Sequence, residues 1–329
     1  MPVIARRVRA FGVLRLGAYA ATWIIWGSTY LAIRTAVAVV PPLLLAGVRS
    51  VVAGGILLGW ALARGDERPR RPQAAAALAT GVLFFLIGHG GLFWAEQRVA
   101  SGPAALMIAT EHFWVLLAGS LLGVIAATWR AWAGVGIGLG GVALLVGTGA
   151  GGIDPLGAAV LVVSAAAWGV GTLYFTGPRK PKSQLYAAGM PLLGGGVLLL
   201  VASAIAGEPS RRALSDVTPV AAGALLYLIV FGSVVAFTAY SWLVELEGPS
   251  RALSFAYVNP LVAVLLGAVF LHEPLTGRMA LAALAIVAAV VLVITGIRAQ
   301  PRPAEALRPP AAPASTRAAR RPRGKARQP

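Results

Sequence analysis

The sequence predicts an all-α polytopic membrane protein of ten transmembrane helices, arranged as two inverted five-helix repeats. Composition, a series of long apolar runs and two short motifs that recur carry this expectation. Of 329 residues, 58% are hydrophobic and 12% charged, whereas a soluble domain carries about 25% charged residues. So few charges cannot cover a globular surface. Cysteine is absent, which excludes disulfides, thiolate nucleophiles and cysteine metal sites. His89, His112 and His272 are the three histidines, too few for a convincing metal centre, and neither metal nor cofactor is expected. The net charge of +17 would suit a nucleic-acid partner. It is gathered instead in short clusters between apolar runs and in a tail, as in a membrane protein with basic cytoplasmic loops. No nucleic-acid partner is expected.

A helix that crosses the bilayer core needs about 20 apolar residues. Ten runs meet this, at 14–36, 43–63, 74–94, 103–123, 131–149, 155–177, 185–206, 218–242, 250–271 and 278–298. The punctuation between them is, in order, Pro41-Pro42, Arg64 to Pro72, Glu96 to Pro103, Ala127 to Arg130, Gly151 to Pro155, Gly177 to Ser183, Glu208 to Asp216, Glu245 to Pro249 and Glu273 to Arg278. A β-barrel would show alternating segments of about ten residues. These runs are longer and filled with Ala and Leu. The chain divides into a cytoplasmic N-terminal segment at 1–13, a first repeat at 14–150, a second at 151–298 and a disordered basic tail at 299–329. The tail, rich in Pro, Ala and Arg, lacks the apolar surface to fold and is read as a topology anchor drawn to anionic membrane lipids.

Orientation follows from lysine and arginine. With the N-terminus in the cytoplasm, and the tail left out, 13 of them fall on the cytoplasmic side and 6 on the other. Both termini are therefore expected in the cytoplasm of a bacterial cell membrane, which an even number of spans permits.

Ser101-Gly102-Pro103-Ala104-Ala105-Leu106 recurs as Glu247-Gly248-Pro249-Ser250-Arg251-Ala252-Leu253, 146 residues on, and Trp26-Gly27 recurs as Trp168-Gly169, 142 residues on. Two similar offsets suggest an internal duplication. A unit of five spans would place its copies in opposite orientations, the plan of many secondary transporters. Gly134, Gly136, Gly138, Gly140 and Gly141 offer a small-residue surface on the fifth span, for sliding or for static packing.

Several polar and aromatic residues are candidates for a substrate cavity. Trp23, Trp26 and Tyr30 follow the i, i+3, i+7 pattern of one helix face, lining a cavity or packing between helices. Trp168 stands at the matched place in the second half, with Tyr174 about two turns along. Trp60, Trp129, Trp132 and Trp242 read as interface anchors. Glu111-His112 is the sharpest feature, because an ionisable pair in mid-span is costly unless it meets water or a partner. It points to substrate recognition or proton coupling, or to a neutral pair that fixes packing. His89, within Gly88-His89-Gly90-Gly91, can reach a central cavity. Arg34, Glu96 and Arg98 read as a mouth or gate, or as solvated helix-end charge. Arg34 and Arg49, near the outer ends of their helices, either attract an anionic group or snorkel. Tyr257-Val258-Asn259-Pro260 interrupts the ninth run, where Pro260 is expected to kink the helix and leave a polar point at Asn259. Glu245, Glu247 and Glu273 read as helix-end residues.

In their order, Ile25 to Arg34, Pro41-Pro42, Ala46-Gly47-Val48-Arg49, Ala95-Glu96-Gln97, Ser101 to Ala105 and Ala256 to Gly267, closed by Glu273, resemble the drug/metabolite transporter superfamily in its ten-helix EamA-type branch, and within it the YedA-like inner-membrane proteins. The resemblance covers residues 14–298. It implies two antiparallel five-helix repeats around a central cavity and export of small metabolites, amino acids or drugs. Relatives usually carry a proline in the fourth helix that mirrors Pro260. Here His112 stands there, so the symmetric kink is expected to be lost and the cavity to be more polar, which leans the cargo toward a polar or zwitterionic metabolite.

The leading expectation is a secondary active transporter that works by alternating access. No Walker loop is present, so the drive would come from a substrate gradient, from an ion gradient such as protons, or from a partner. A monomer suffices, and a homodimer stays open. The alternative is a non-transport membrane protein, such as an enzyme of lipid-linked substrates or a sensor.

Overall fold

The punctuation between the apolar runs sets where helices begin and end. The computed structural model describes residues 12–146, 153–210, 217–247 and 254–299. The start of the N-terminal segment, the Gly248-Pro249 motif and the tail lie outside them. The described residues form ten long helices: α1 at 12–37, α2 Pro42–Ala63, α3 Arg71–Ala95, α4 Ser101–Leu121, α5 Trp129–Val146, α6 Pro155–Phe175, α7 Gln184–Ile205, α8 Pro219–Glu247, α9 Phe255–Phe270 and α10 Gly277–Gly296. Pro42, Pro155 and Pro219 open their helices, where the missing N–H costs nothing. Asp154 caps α6 by accepting from Leu156 N (3.1 Å) and Gly157 N (3.0 Å). Thr276 Oγ1 caps α10 by accepting from Met279 N at 3.1 Å.

Eight of these helices, α2 to α8 and α10, are long and apolar enough to cross a membrane. The chain is thus an all-α multi-pass membrane protein. Trp, Tyr, Ser, Thr and Arg dilute the apolarity of α1, and the described part of α9 spans 16 residues. Leu139, Ile205, Val269 and Leu284 are exposed, whereas Phe84, Phe85, Phe93, Leu45 and Leu106 are fully buried. Apolar side chains therefore face both ways, as a bundle in lipid requires.

Three helices carry π segments, Ala21–Ile25 in α1, Val82–His89 in α3 and Leu228–Val235 in α8. Such segments widen one turn and cluster at functional sites. α4 is interrupted at Ala109-Thr110, between Ser101–Ile108 and Glu111–Leu121. The fourth helix is thus irregular beside His112 even without a proline. Side chains supply bonds at the break, where Thr110 Oγ1 donates to Met107 O (2.6 Å) and His112 Nδ1 bonds Ala109 O (3.2 Å). Pro260, by contrast, sits inside the continuous helix α9.

The most extensive helix pairs are α2 with α7 and α5 with α10. α6 packs on α3 and α4, α1 on α8 and α9, α7 on α3, and α2 on α8. Along α5, Gly134 and Gly138 meet Ala289 of α10 and Gly141 meets Ile286 and Ala282, with Gly138 also against Phe113 of α4, while Gly136 and Gly140 face open space. Three of the five glycines thus make the close surface, because their spacing keeps one face. A short antiparallel pair, β1 Ile125–Ala127 with β2 Ile297–Ala299, ties the segment after α4 to the segment after α10.

Glu273 does not cap its own helix. His272, at φ 53°, turns the chain back, and the Glu273 carboxylate accepts from Ser101 N (2.8 Å), Ser101 Oγ (3.0 Å) and Gly102 N (3.2 Å). Glu208 does the same for α2, accepting from Leu44 N at 2.9 Å and Ser203 Oγ at 2.8 Å. A carboxylate at a helix N-terminus satisfies free N–H groups and meets the positive end of the dipole.

Candidate functional site

A cavity lies where α1, α2, α3, α4, α6, α7, α8 and α9 converge. Its volume is about 60 Å³. That is room for a few waters or a small ligand head group. Six predicted residues line it: Trp26, Tyr30, His89, Glu111, Trp168 and Asn259. Arg49, Thr29, Ser233, Phe85, Phe237 and Phe255 join them.

One wall is aromatic. Trp26 meets Phe255 edge-on with centroids 4.8 Å apart, and Tyr240 at 5.2 Å. Trp168 stacks on Phe84 at 4.1 Å, and its ring lies 6.5 Å from Trp26. The indole of Trp26 is fixed, since its Nε1 donates to Gly232 O at 3.0 Å. Offset and edge-on pairs of this kind give a rigid apolar surface.

The other wall is polar. Arg49 is 3% exposed, and its Nε donates to Ser233 Oγ at 2.8 Å. Ser233 Oγ donates in turn to Leu228 O at 3.0 Å, inside the π segment of α8. His89 ends the π segment of α3, with its ring 5.4 Å from Trp168. Glu111 opens the second piece of α4, and its Oε1 stands 3.8 Å from His112 Nδ1. Asn259, with its amide oriented to match its neighbours, donates to Trp23 O (2.8 Å), Thr22 O (3.2 Å) and Phe255 O (3.2 Å). It thereby serves carbonyls in the π segment of α1.

Three predicted residues stand elsewhere, and a fourth is not described. Trp23 leaves the cavity face and donates from Nε1 to Ser254 Oγ at 3.1 Å. The π segment takes an extra residue per turn, so the i, i+3 relation to Trp26 slips. Tyr174 is 51% exposed on the outer surface of α6. His112 is buried behind the cavity, beside Phe255, with Nε2 unpartnered. Tyr257 has its side chain outside the described residues.

Arg34, Glu96 and Arg98, expected at a mouth, do not line the cavity. Arg34 donates to the backbone oxygen of Glu96. Arg98 lies 3.7 Å from Asp154 and 4.8 Å over the ring of Trp94. Glu96 is fully buried, and neither of its carboxyl oxygens has a partner. Burial pushes its carboxyl well above the usual range, Arg34 opposes this, and Glu273 adds to it. Trp60 and Trp129 are exposed near helix ends, as interface anchors must be.

The residue that sequence reasoning placed worst is Arg49. The sequence reads it near a helix end, yet it follows Pro42 by seven residues within α2, about 10 Å down the axis. That depth, in an otherwise apolar run, was the available signal. Ser233 and Gly232 carried a weaker one, as the polar interruption of the most apolar stretch of α8.

The sequence profile of the EamA-like transporter family matches twice, at residues 16–147 and 155–295. The chain is 40% identical over 282 residues to the uncharacterized inner membrane transporter YedA of Escherichia coli K12, covering 85% of this chain and 90% of that protein. It is 28% identical to the uncharacterized transporter YvbV of Bacillus subtilis, covering 84% and 90%. A solved crystal structure at 23% identity shares the fold, with a TM-score of 0.62 over 85% of this chain and 96% of that one.

Proposed function

The chain belongs to the EamA-like transporter family, and on that premise we propose that it exports a small metabolite, amino acid or drug across the bacterial cytoplasmic membrane by alternating access at the Trp26–Glu111–Trp168 cavity. Family membership makes it a membrane transporter of small molecules and not an enzyme. The observation that carries the cavity reading is a set of buried polar and ionisable side chains on one space among apolar helices. Such groups are costly in a membrane interior unless they serve a path for cargo or ions.

The finer architecture we propose is ten spans in two inverted repeats, with boundaries near 14–150 and 151–298. Three observations support it. The larger helix pairs (α2 with α7, α5 with α10, and α6 on α3 and α4 against α1 on α8 and α9) map onto one another when α1 to α5 are exchanged for α6 to α10. The π segments of α3 and α8 lie 146 residues apart at both ends, the offset of the Gly-Pro motifs. The family profile also matches once in each half. Five spans per unit reverse the second unit, and rocking of like halves then opens the cavity to each side in turn. The lysine and arginine bias supports both termini in the cytoplasm. Glu111 is the proposed proton-linked group, and a monomer is sufficient to enclose the cavity.

The test is uptake into proteoliposomes containing the full chain, screened with amino acids, nucleosides and cationic drugs, with and without a pH gradient. Trp168→Ala is expected to lower transport of the best cargo. Glu111→Gln is expected to flatten its dependence on pH between 5 and 8. An unchanged rate and profile in Glu111→Gln would remove the proton role, and no uptake of any compound by the wild type would count against transport through this cavity.

A further inference from the structure

We propose that Arg49, assisted by His89, is the anchor for a carboxylate group on the cargo, so that the transported molecule is an organic acid or amino acid with an apolar body. The proposal rests on the reading that the central cavity holds the cargo. Arg49 Nη1 is buried and has no hydrogen-bond partner. No acidic side chain pairs with it among the described residues. His89 Nδ1, on the same cavity, is likewise buried and without a partner. Two unsatisfied nitrogens on residues that line one cavity are what an anionic ligand would complete.

The support behind Arg49 is rigid. Ser233 Oγ gives its proton to Leu228 O and accepts from Arg49 Nε, so one edge of the guanidinium is held while Arg49 lines the cavity. Phe93 lies beneath it, 5.6 Å from the guanidinium carbon to the ring centre. A methyl on Gly232 would stand 3.3 Å from Nη2, so the absent side chain keeps space for the charged group. The two π segments, one carrying His89 and the other Gly232-Ser233, bring these parts together.

A guanidinium left unpaired in a low-dielectric site is destabilising, and its planar fork matches a carboxylate. The aromatic wall of Trp26, Phe85, Trp168, Phe237 and Phe255 suits an apolar remainder. Glu111 lines the cavity without pairing to Arg49, so a molecule that also carries an ammonium group has a place for it.

Quenching of tryptophan fluorescence in the purified full chain tests this, because Trp26 and Trp168 line the cavity. The probes are 3-phenylpropanoate, L-phenylalanine and phenethylamine, which lacks the carboxylate. The wild type is expected to bind both carboxylates. Arg49→Gln should weaken them at least about tenfold, the loss of one charge-assisted hydrogen bond, and leave phenethylamine within about twofold. Where Arg49→Gln does not fold, Ser233→Ala carries the test and should weaken the carboxylates selectively. Equal affinity of the folded variant and the wild type for the carboxylates overturns the anchor. Binding of phenethylamine but of neither carboxylate by the wild type also overturns it, and leaves the cavity as a cargo site. Binding and uptake of none of the three would remove both.

Discussion

Glu96 is fully buried with both carboxyl oxygens unpartnered, and its carboxyl is held well above the ordinary range, first by burial. A folded-state value above the unfolded one means that the native protein binds the proton more tightly. Between the two values the unfolded chain holds fewer protons, and stability falls as pH rises. Thermal unfolding from pH 5 to 8 should therefore show the wild type losing stability, and Glu96→Gln, which keeps the shape without the titration, losing less. Equal slopes would show that Glu96 ionises as freely in the folded protein as in the unfolded chain. Residue identity made several cavity groups legible. Glu111 in mid-run, and Asn259 next to a helix-interior proline, are conspicuous because lipid makes them costly. Arg49 and Tyr174 were misplaced because a sequence gives depth along a helix only to within the uncertainty of its ends. It gives facing less well still, and Tyr174 lies on the outer face of α6 next to its last residue.

At the scale of the element, the repeated Trp-Gly pair has a packing cause. A methyl on Gly27 of α1 would stand 2.6 Å from Val262 Cβ and 3.2 Å from Asn259 O of α9. A methyl on Gly169 of α6 would stand 2.6 Å from both Glu111 O and Trp114 Cβ of α4. Each glycine lets one helix cross another where the second helix carries a polar cavity residue, Asn259 or Glu111. Gly27→Ala and Gly169→Ala should each cost about 1–3 kcal/mol of stability, the usual range for overpacking, and lower transport by displacing those residues. Melting of the purified variants at an unchanged temperature would show that the crossings yield without strain. Helices were the readable part of this sequence, since run length in an apolar chain fixes a span. Their irregularities were not. π segments and the break at Ala109-Thr110 arise from how neighbouring helices supply hydrogen bonds, which the local sequence does not display.

For the whole molecule, one end of the bundle is closed by contacts between segments far apart in the chain. Ser183 Oγ donates to Asp66 Oδ2 at 2.6 Å, Lys182 Nζ donates to Glu67 at 3.0 Å, and Lys180 Nζ donates to Glu245 at 2.8 Å. These join the turn after α2 to the segment before α7, and that segment to α8. Exposed pairs of this sort contribute about 0–1 kcal/mol each, weak enough to open and re-form in a transport cycle. An alternating-access protein must open at this end once per cycle, so a covalent tie there should stop it. The absence of cysteine from the native sequence makes the experiment clean, because Asp66→Cys with Ser183→Cys introduces the only thiols. Joining them with a short bifunctional thiol reagent that a reductant can cleave should abolish uptake into proteoliposomes. Cleavage should restore it, and each single variant treated alike should keep its rate. Undiminished transport by the fully cross-linked protein would mean that these segments do not part during the cycle, and that the moving surfaces lie elsewhere in the bundle.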